Sequence, residues 1–203
     1  MTISGLTLRL AQPADANAIA TLSRDLIEYG LVWRWRPMRV AASIRAANAN
    51  VLVACVHGEI VGFAIMRYGD DEAHLDLLAV TPLYRRAGVG RQLLLWLEKC
   101  ALVAGICSVS LEVRAGNKDA QLFYEHMGYR KLAPLPGYYQ GVEAAVRMNR
   151  DLSGQSADHS TQGLPQEIFG AEKVLAKIFG AAPAYLLNSD SKDFHQRFPR
   201  ARL

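Results

Sequence analysis

The chain has 203 residues, 51% of them hydrophobic, with a formal charge of +4 and an isoelectric point near 9.0. That suffices for one sizeable domain with a buried core and an appendage, and the mild basicity reads as a solvated surface rather than a polyanion-binding one. The opening residues lack a basic segment followed by a long apolar one, and no run is long enough to cross a bilayer, so a soluble cytoplasmic protein with no membrane partner is the expectation.

Residues 6–10, LTLRL, alternate as a strand does. Pro13 opens a helical stretch with Ile19, Leu22, Leu26 and Ile27 on one stripe, which Gly30 should end. After WRWRP, Pro37 starts a second helix running to about Ala47. VLVACV (51–56) and IVGFAIMRY (60–68) flank His57-Gly58-Glu59 and read as a hairpin, with HLDLLAV (74–80) as a third consecutive strand. A long helix then runs to about Ala104 and stops at Gly105. SVSLEVR (108–114) is a strand again, and Asn117 caps a short helix whose apolar stripe is Ala120, Phe123, Tyr124 and Met127. YRKL and the segment around AAVRMNRDL close the domain as strands. The order β-α-α-β-β-β-α-β-α-β-β describes an α/β (α+β) domain, a mixed central sheet flanked by helices, over residues 1–152. Three cysteines, Cys55, Cys100 and Cys107, form no C-x-x-C pair, so neither a disulfide framework nor a metal site is expected; each falls in an apolar run and should pack as a small hydrophobe.

After Leu152 the texture changes. Residues 153–167 are polar and turn-rich, as a linker is. The C-terminal extension, 168–203, contains IFGAEKVLAKIFG, which could form an amphipathic helix with Ile168, Ala171, Leu175 and Ile178 on one face. The extension could be disordered, dock on the core, or pair subunits as a homodimer.

The most informative stretch is YRRAGVGRQLLLWLEK (84–99), with two glycines one residue apart, flanked by arginines, where a helix begins. Helix N-termini carry unsatisfied N–H groups and a partial positive charge, and glycine lets a phosphate come close to them. The stretch Arg85, Arg86, Ala87, Gly88, Val89, Gly90 and Arg91 therefore reads as a pyrophosphate cradle, set against the alternative of a close helix–sheet contact. It is not a Walker loop, which needs G-x-x-x-x-G-K-[ST]. Nor is it a dinucleotide fingerprint, since Leu93 stands where the third glycine belongs. No nucleic-acid motif occurs.

LAVTPLYRRAGVGRQLL resembles the acetyl-coenzyme A motif of the GNAT superfamily of N-acetyltransferases, with Leu78-Ala79-Val80 ending a strand, Pro82 and Tyr84 in a short loop, then Arg85, Gly88 and Gly90. NKDAQLFYEHMGY resembles the second motif of that family, N-x-x-A-x-x-F-Y-x-x-x-G-[FY]. More narrowly, LEVR (111–114), Asn117, Phe123-Tyr124, Tyr138-Tyr139 and AAVRM (144–148) are similar to ribosomal-protein alanine N-acetyltransferases and their relatives that acetylate protein N-termini. The resemblance implies the GNAT fold over residues 6–152, acetyl-coenzyme A as cosubstrate, and transfer of its acetyl group to a primary amine. A protein or peptide α-amine is the first reading of the acceptor. A small-molecule amine, or a non-catalytic acyl-coenzyme A-binding module, are the alternatives.

The resemblance also implies roles for named residues. The backbone of Leu78, Ala79 and Val80 would splay from its neighbour strand and present N–H groups to the pantetheine arm and thioester carbonyl. Glu112 matches the acid of LEVR and stands alone in an apolar strand, so it is the first candidate for the base, with His74 and Asp76 on the neighbouring strand able to replace or assist it. Tyr124 matches the tyrosine that protonates the departing thiolate. Asn117 would add a contact to coenzyme A to its capping role. Tyr138 and Tyr139 would line the acceptor groove or pack between the last strands. Trp33 and Trp35 are candidates for acceptor specificity or for anchoring their loop.

Overall fold

The computed structural model describes residues 3–153. The linker from 154 onward and the amphipathic helix at 168–180 lie outside the described residues.

Seven strands form one sheet: β1 (Leu6–Leu10), β2 (Ala49–Val56), β3 (Glu59–Tyr68), β4 (Glu72–Val80), β5 (Ser108–Arg114), β6 (Arg130–Tyr139) and β7 (Glu143–Asp151). Their order across the sheet is β1-β2-β3-β4-β5-β7-β6. Every pairing is antiparallel except β4 with β5, which are parallel. A parallel pair needs a crossover, and α3 (Val89–Val103) supplies it.

Helices cover both faces. On one side α3 and α4 (Lys118–His126) pack against Leu52, Ala54, Ala64, Met66, Leu75, Val109, Leu111 and Met148, with Leu93, Leu94 and Leu97 of α3 fully buried. On the other, α1 (Ala16–Leu26) and α2 (Pro37–Arg45) bury Ile19 and Val40 against Val51, Val53, Phe63, Ile65, Leu77 and Ala79. The alternation of these two sets along β2 and β3 is the period of two that a sheet buried on both faces imposes.

The element order matches the expectation, and the boundaries differ for local reasons. A 3-10 turn over Pro13–Asp15 precedes α1, pinned by Arg9, whose guanidinium holds the Asp15 carboxylate at 2.6 and 3.0 Å. α1 ends at Leu26, ahead of Gly30, because the chain turns inward to bury Glu28. α2 ends at Arg45 rather than Ala47. β6 runs on to Tyr139 through Pro134 and Pro136, which an interior strand would not tolerate; β6 is the sheet's edge, where no outer ladder needs those N–H groups. Cys107 is exposed, contrary to the expectation that all three cysteines pack inside, because it lies in the turn between α3 and β5.

Candidate active site

The parallel pair β4–β5 is short. It holds from Glu72↔Ser108 through His74↔Ser110 to Leu75↔Leu111 and then ends, although both strands continue. Asp76 and Glu112 are the first residues beyond the last rung, at the mouth of a fork. From there Asp76–Val80 has no partner on its β5 side, while it keeps β3 on the other from Leu77 onward. The Leu78-Ala79-Val80 segment thus lies in the splayed limb.

A bulge decides which side chains face the fork. The β3–β4 register shifts between Ile65↔Leu77 and Met66↔Leu75, leaving Asp76 as the extra residue. Before it, Ala73 and Leu75 point to the α3 side; after it, Leu77 and Ala79 point to the α1 side. His74 and Asp76 accordingly share the α1 side of the sheet.

On that face the polar side chains of five strands converge. Arg67 of β3 grips Asp76 with two bonds of 2.6 Å. Asp76 faces Nδ1 of His74 at 3.1 Å, and His74 Nε2 faces Glu112 at 2.8 Å. The other carboxylate oxygen of Glu112 accepts from Arg147 of β7 at 2.8 Å, and the Tyr138 hydroxyl of β6 donates to Glu112 at 3.0 Å. The Glu112 side chain is only 4% accessible and Asp76 7%, so both carboxylates are buried with all four oxygens engaged.

Each ring nitrogen of His74 faces a carboxylate, and both can be satisfied only if both carry protons. Hydrogen bonds to Asp76 and Glu112 accordingly raise the imidazole from 6.5 to about 9 against the opposing effect of burial. The same bond from His74, followed by those of Arg147 and Tyr138, lowers Glu112 from 4.5 to about 2 although burial works the other way. For Asp76 burial pulls upward, but Arg67 and His74 together leave it below its ordinary value. At neutral pH the cluster is therefore two carboxylates among three cations. Arg67, Glu72, His74, Ser110, Glu112, Leu132, Tyr138 and Arg147 line an open cavity of about 370 Å³ above it.

Beyond Val80 the chain makes a 3-10 turn, Pro82–Tyr84, and enters α3 through residues in left-handed conformation: Arg86 at φ 60° and Gly88, the N-cap, at φ 85°. The N–H groups of Ala87 to Arg91 find no acceptor among the described residues; the first helical bond is Gln92 N–H to Gly88 at 3.0 Å. Arg86 and Arg91 are exposed here, and Arg85 donates to the Val80 carbonyl at 3.0 Å, holding the loop to the strand's end. Gly88 is required by its φ. Gly90 is not: a β-carbon there would meet only Leu78, Phe123 and Val80 at 3.6–3.7 Å, ordinary contact distances. The fold itself thus tolerates a side chain at 90.

Asn117 caps α4, accepting from Ala120 N–H at 3.0 Å. Tyr124 is buried on the α3 side, its ring edge-on to Phe123 and Tyr129, and burial pushes its hydroxyl well above 10. That hydroxyl makes no hydrogen bond among the described residues, and its oxygen is not one of those sealed from solvent without a partner. Tyr139 donates to the Glu112 carbonyl at 3.3 Å, behind the fork.

The tryptophans anchor their loop. Trp35 is buried under Arg39, 4.1 Å above its ring, and Trp33 lies between Arg24 and Arg36. Buried Glu28 accepts the Arg34 and Trp35 N–H groups at 2.8 and 3.1 Å. The same loop meets the β6–β7 turn, where the Gln140 side-chain amide pairs with both backbone groups of Val32 at 3.1 Å. Sequence reading overlooked Arg67 and Arg147. Each interrupts a run of apolar residues, FAIMRY and AAVRM, as Glu112 does in SLEV, and that shared irregularity was the available signal.

The acetyltransferase (GNAT) family model matches residues 19–129. An uncharacterised N-acetyltransferase of Methanocaldococcus jannaschii is 37% identical over 97 residues, covering 47% of this chain and 62% of that protein, so the chain spans less than two thirds of that relative's length. The [ribosomal protein bS18]-alanine N-acetyltransferase of Escherichia coli is 37% identical over 100 residues, covering 48% of this chain and 68% of that one. The crystal structure of the ribosomal-protein-S18-alanine N-acetyltransferase from Escherichia coli superposes with a TM-score of 0.64 at 27% identity, over 75% of this chain and 97% of that chain.

Proposed function

The chain belongs to the acetyltransferase (GNAT) family, and we propose that it carries the acetyl group of acetyl-coenzyme A to the α-amine of a peptide or protein N-terminus. The observation that carries this reading is the cationic setting of the two carboxylates at the fork. Arg67, His74 and Arg147 take up the charge of Asp76 and Glu112, and with Glu72 the formal charges around the cavity balance, so an ammonium finds no net attraction to offset its lost hydration and the neutral amine enters more readily. An α-amine, with a pKa of about 7.7–8.0, is roughly a tenth neutral at pH 7, whereas a lysine at about 10.4 is neutral in less than about one molecule in a thousand. The likeness to an N-terminal alanine acetyltransferase points the same way.

The start of α3 fits a pyrophosphate: five N–H groups in succession lack acceptors among the described residues, and arginines stand beside them. Gly90, which the fold alone does not require, makes sense where a phosphate must touch the backbone. Bound there, acetyl-coenzyme A would supply the thioester carbonyl that the amine attacks and the thiolate that leaves. The chain's residues divide the remaining work. Ala87 to Arg91 hold the phosphates, and the unpaired β5-facing edge of Leu78 to Val80 offers N–H donors to developing negative charge. Glu112 orients the amine and takes its proton once acylation has made that nitrogen acidic, which a carboxylate of low basicity can do. Tyr124, whose hydroxyl has no partner among the described residues, delivers a proton to the leaving sulfur.

Thiol release from acetyl-coenzyme A should be fast with peptides bearing free N-termini and slow with acetyl-blocked lysine peptides and simple alkylamines. Equal turnover of the blocked lysine peptides would sink the α-amine reading.

A further inference from the structure

Every oxygen of Asp76 and Glu112 is engaged, but the arginines that engage them are not used up. Among the described residues, Arg67 spends Nε and one terminal nitrogen on Asp76 and has no acceptor for the other terminal nitrogen; Arg147 spends only Nε on Glu112 and has no acceptor for either terminal nitrogen. Their side chains are 54% and 48% accessible, and both line the same cavity. They rise from β3 and β7, on either side of the β4–β5 pair, and lean inward onto Asp76 of β4 and Glu112 of β5. β3 and β7 are three strand spacings apart, roughly 14 Å at about 4.8 Å each, so it is the inward lean of the two long side chains that brings both guanidinium groups to one cavity, where an entering carboxylate can take a charge-assisted bond from either. Glu72, which lines the cavity with Glu112, accepts from Ser108 and Asn149 through Oε1 at 3.4 and 3.3 Å, has no partner for Oε2 among the described residues and pairs with neither arginine. The unspent donors at this site are thus those of the two guanidinium groups, next to where the amine must enter.

We propose that Arg67 and Arg147 form a carboxylate-recognition site within the acceptor cavity, so that the preferred acceptor carries a carboxylate close to its reactive α-amine. This rests on the α-amine reading above and narrows it. The carboxylate can be an acidic side chain in the first two residues of a peptide, or the α-carboxylate of a free amino acid. At about 370 Å³ the cavity sits near the lower end of the range for small-ligand sites, room for the terminal residues of an acceptor and no more.

The test uses the full chain and two matched pairs of acceptors: Ala-Asp-Gly-amide against Ala-Asn-Gly-amide, and free alanine against alaninamide. Charge-assisted bidentate bonds are about twice as strong as neutral ones, so the acidic member of one pair should lead its neutral partner by roughly tenfold to a hundredfold in kcat/KM, carried mainly by KM. A lead in the first pair identifies a peptide side chain; a lead in the second, a free amino acid. Arg147→Gln and Arg67→Gln should each shrink that lead toward unity, Arg147→Lys should restore part of it, and added salt should erode it. Loss of overall rate with the ratio unchanged would mark a purely structural role and overturn the proposal, as would equal treatment of both pairs by the wild type. Calorimetric titration of the same four compounds into coenzyme A-saturated protein keeps the question decidable without turnover. If none of the four is acetylated, the α-amine reading falls, and tighter binding of an acid than of its amide still supports the carboxylate site, while equal binding removes it.

Discussion

Along one stretch of chain, two neighbouring regions treat polar groups in opposite ways. Among the described residues, consecutive N–H groups from Ala87 to Arg91 are left without acceptors, whereas at Asp76 and Glu112 every carboxylate oxygen is taken. The loop is organised by backbone and is local in sequence. The cluster is organised by side chains drawn from five strands, which satisfy one another. On the reading proposed above, the first holds the cofactor's phosphates, and the second resists rearrangement and keeps its charges in place around Glu112.

The sharpest way to separate the two is at Gly90. Gly90→Glu should leave the fold intact, since the β-carbon meets nothing closer than 3.6 Å, and should abolish acetyl-coenzyme A binding in a calorimetric titration. A folded variant that binds as wild type does would show that the loop is not the cradle. Next in size are the two side chains assigned to proton transfer. Glu112→Gln and Tyr124→Phe should each lower kcat by ~10²–10⁴ while keeping cofactor affinity within a few-fold. Neither loss should be recovered as pH rises through the acceptor amine's pKa beyond the gain that wild type also shows, because both proton transfers follow attack by the neutral amine. Near-wild-type kcat in Glu112→Gln would move the proton-accepting role to His74 or Asp76.

Stability against pH probes the cluster alone. His74 is raised from 6.5 to about 9, so its ion pairs contribute fully below about 6.5 and are lost as pH climbs through about 9. Glu112 is lowered from 4.5 to about 2, so its share is present above about 4.5 and lost as pH falls through about 2. Wild type should therefore exceed His74→Asn in Tm by several degrees near pH 6, and the gap should close by pH 10; a gap that persists there would mean that His74 holds the cluster by packing rather than by charge. The smallest effect belongs to Gly88→Ala. Its φ of 85° makes alanine strained by about 1–2 kcal/mol, a cost visible in Tm.

What could be read from the sequence follows the same division. Gly88, Gly90 and the arginines around them lie within seven residues, and Asn117 sits three residues before the N–H it caps. Such features are written contiguously. The cluster is not. Glu112 was visible as a lone acid among apolar neighbours, but its partners depend on registers, Arg67↔His74 and Glu112↔Arg147, that no local pattern specifies. Period-two alternation is enough to put His74 and Asp76 on one face of their strand. It could not reveal that Leu77, two residues on from Leu75, turns to the opposite helix layer. Gln140, whose amide reaches Val32 from 108 positions away, carried no signal.

The extra residue at Asp76 has a consequence for how this strand can change. Deleting it would let Leu75 and Leu77 fall into step with Met66 and Ile65, an uninterrupted ladder that costs nothing in pairing. The same deletion would take away the carboxylate that anchors Arg67 and one of the two that keep His74 charged. Fold and chemistry thus pull in opposite directions at one position. A library of single-residue deletions screened only for soluble, folded protein should retain the chain shortened at 76, and the same library screened for acetyl transfer should discard it.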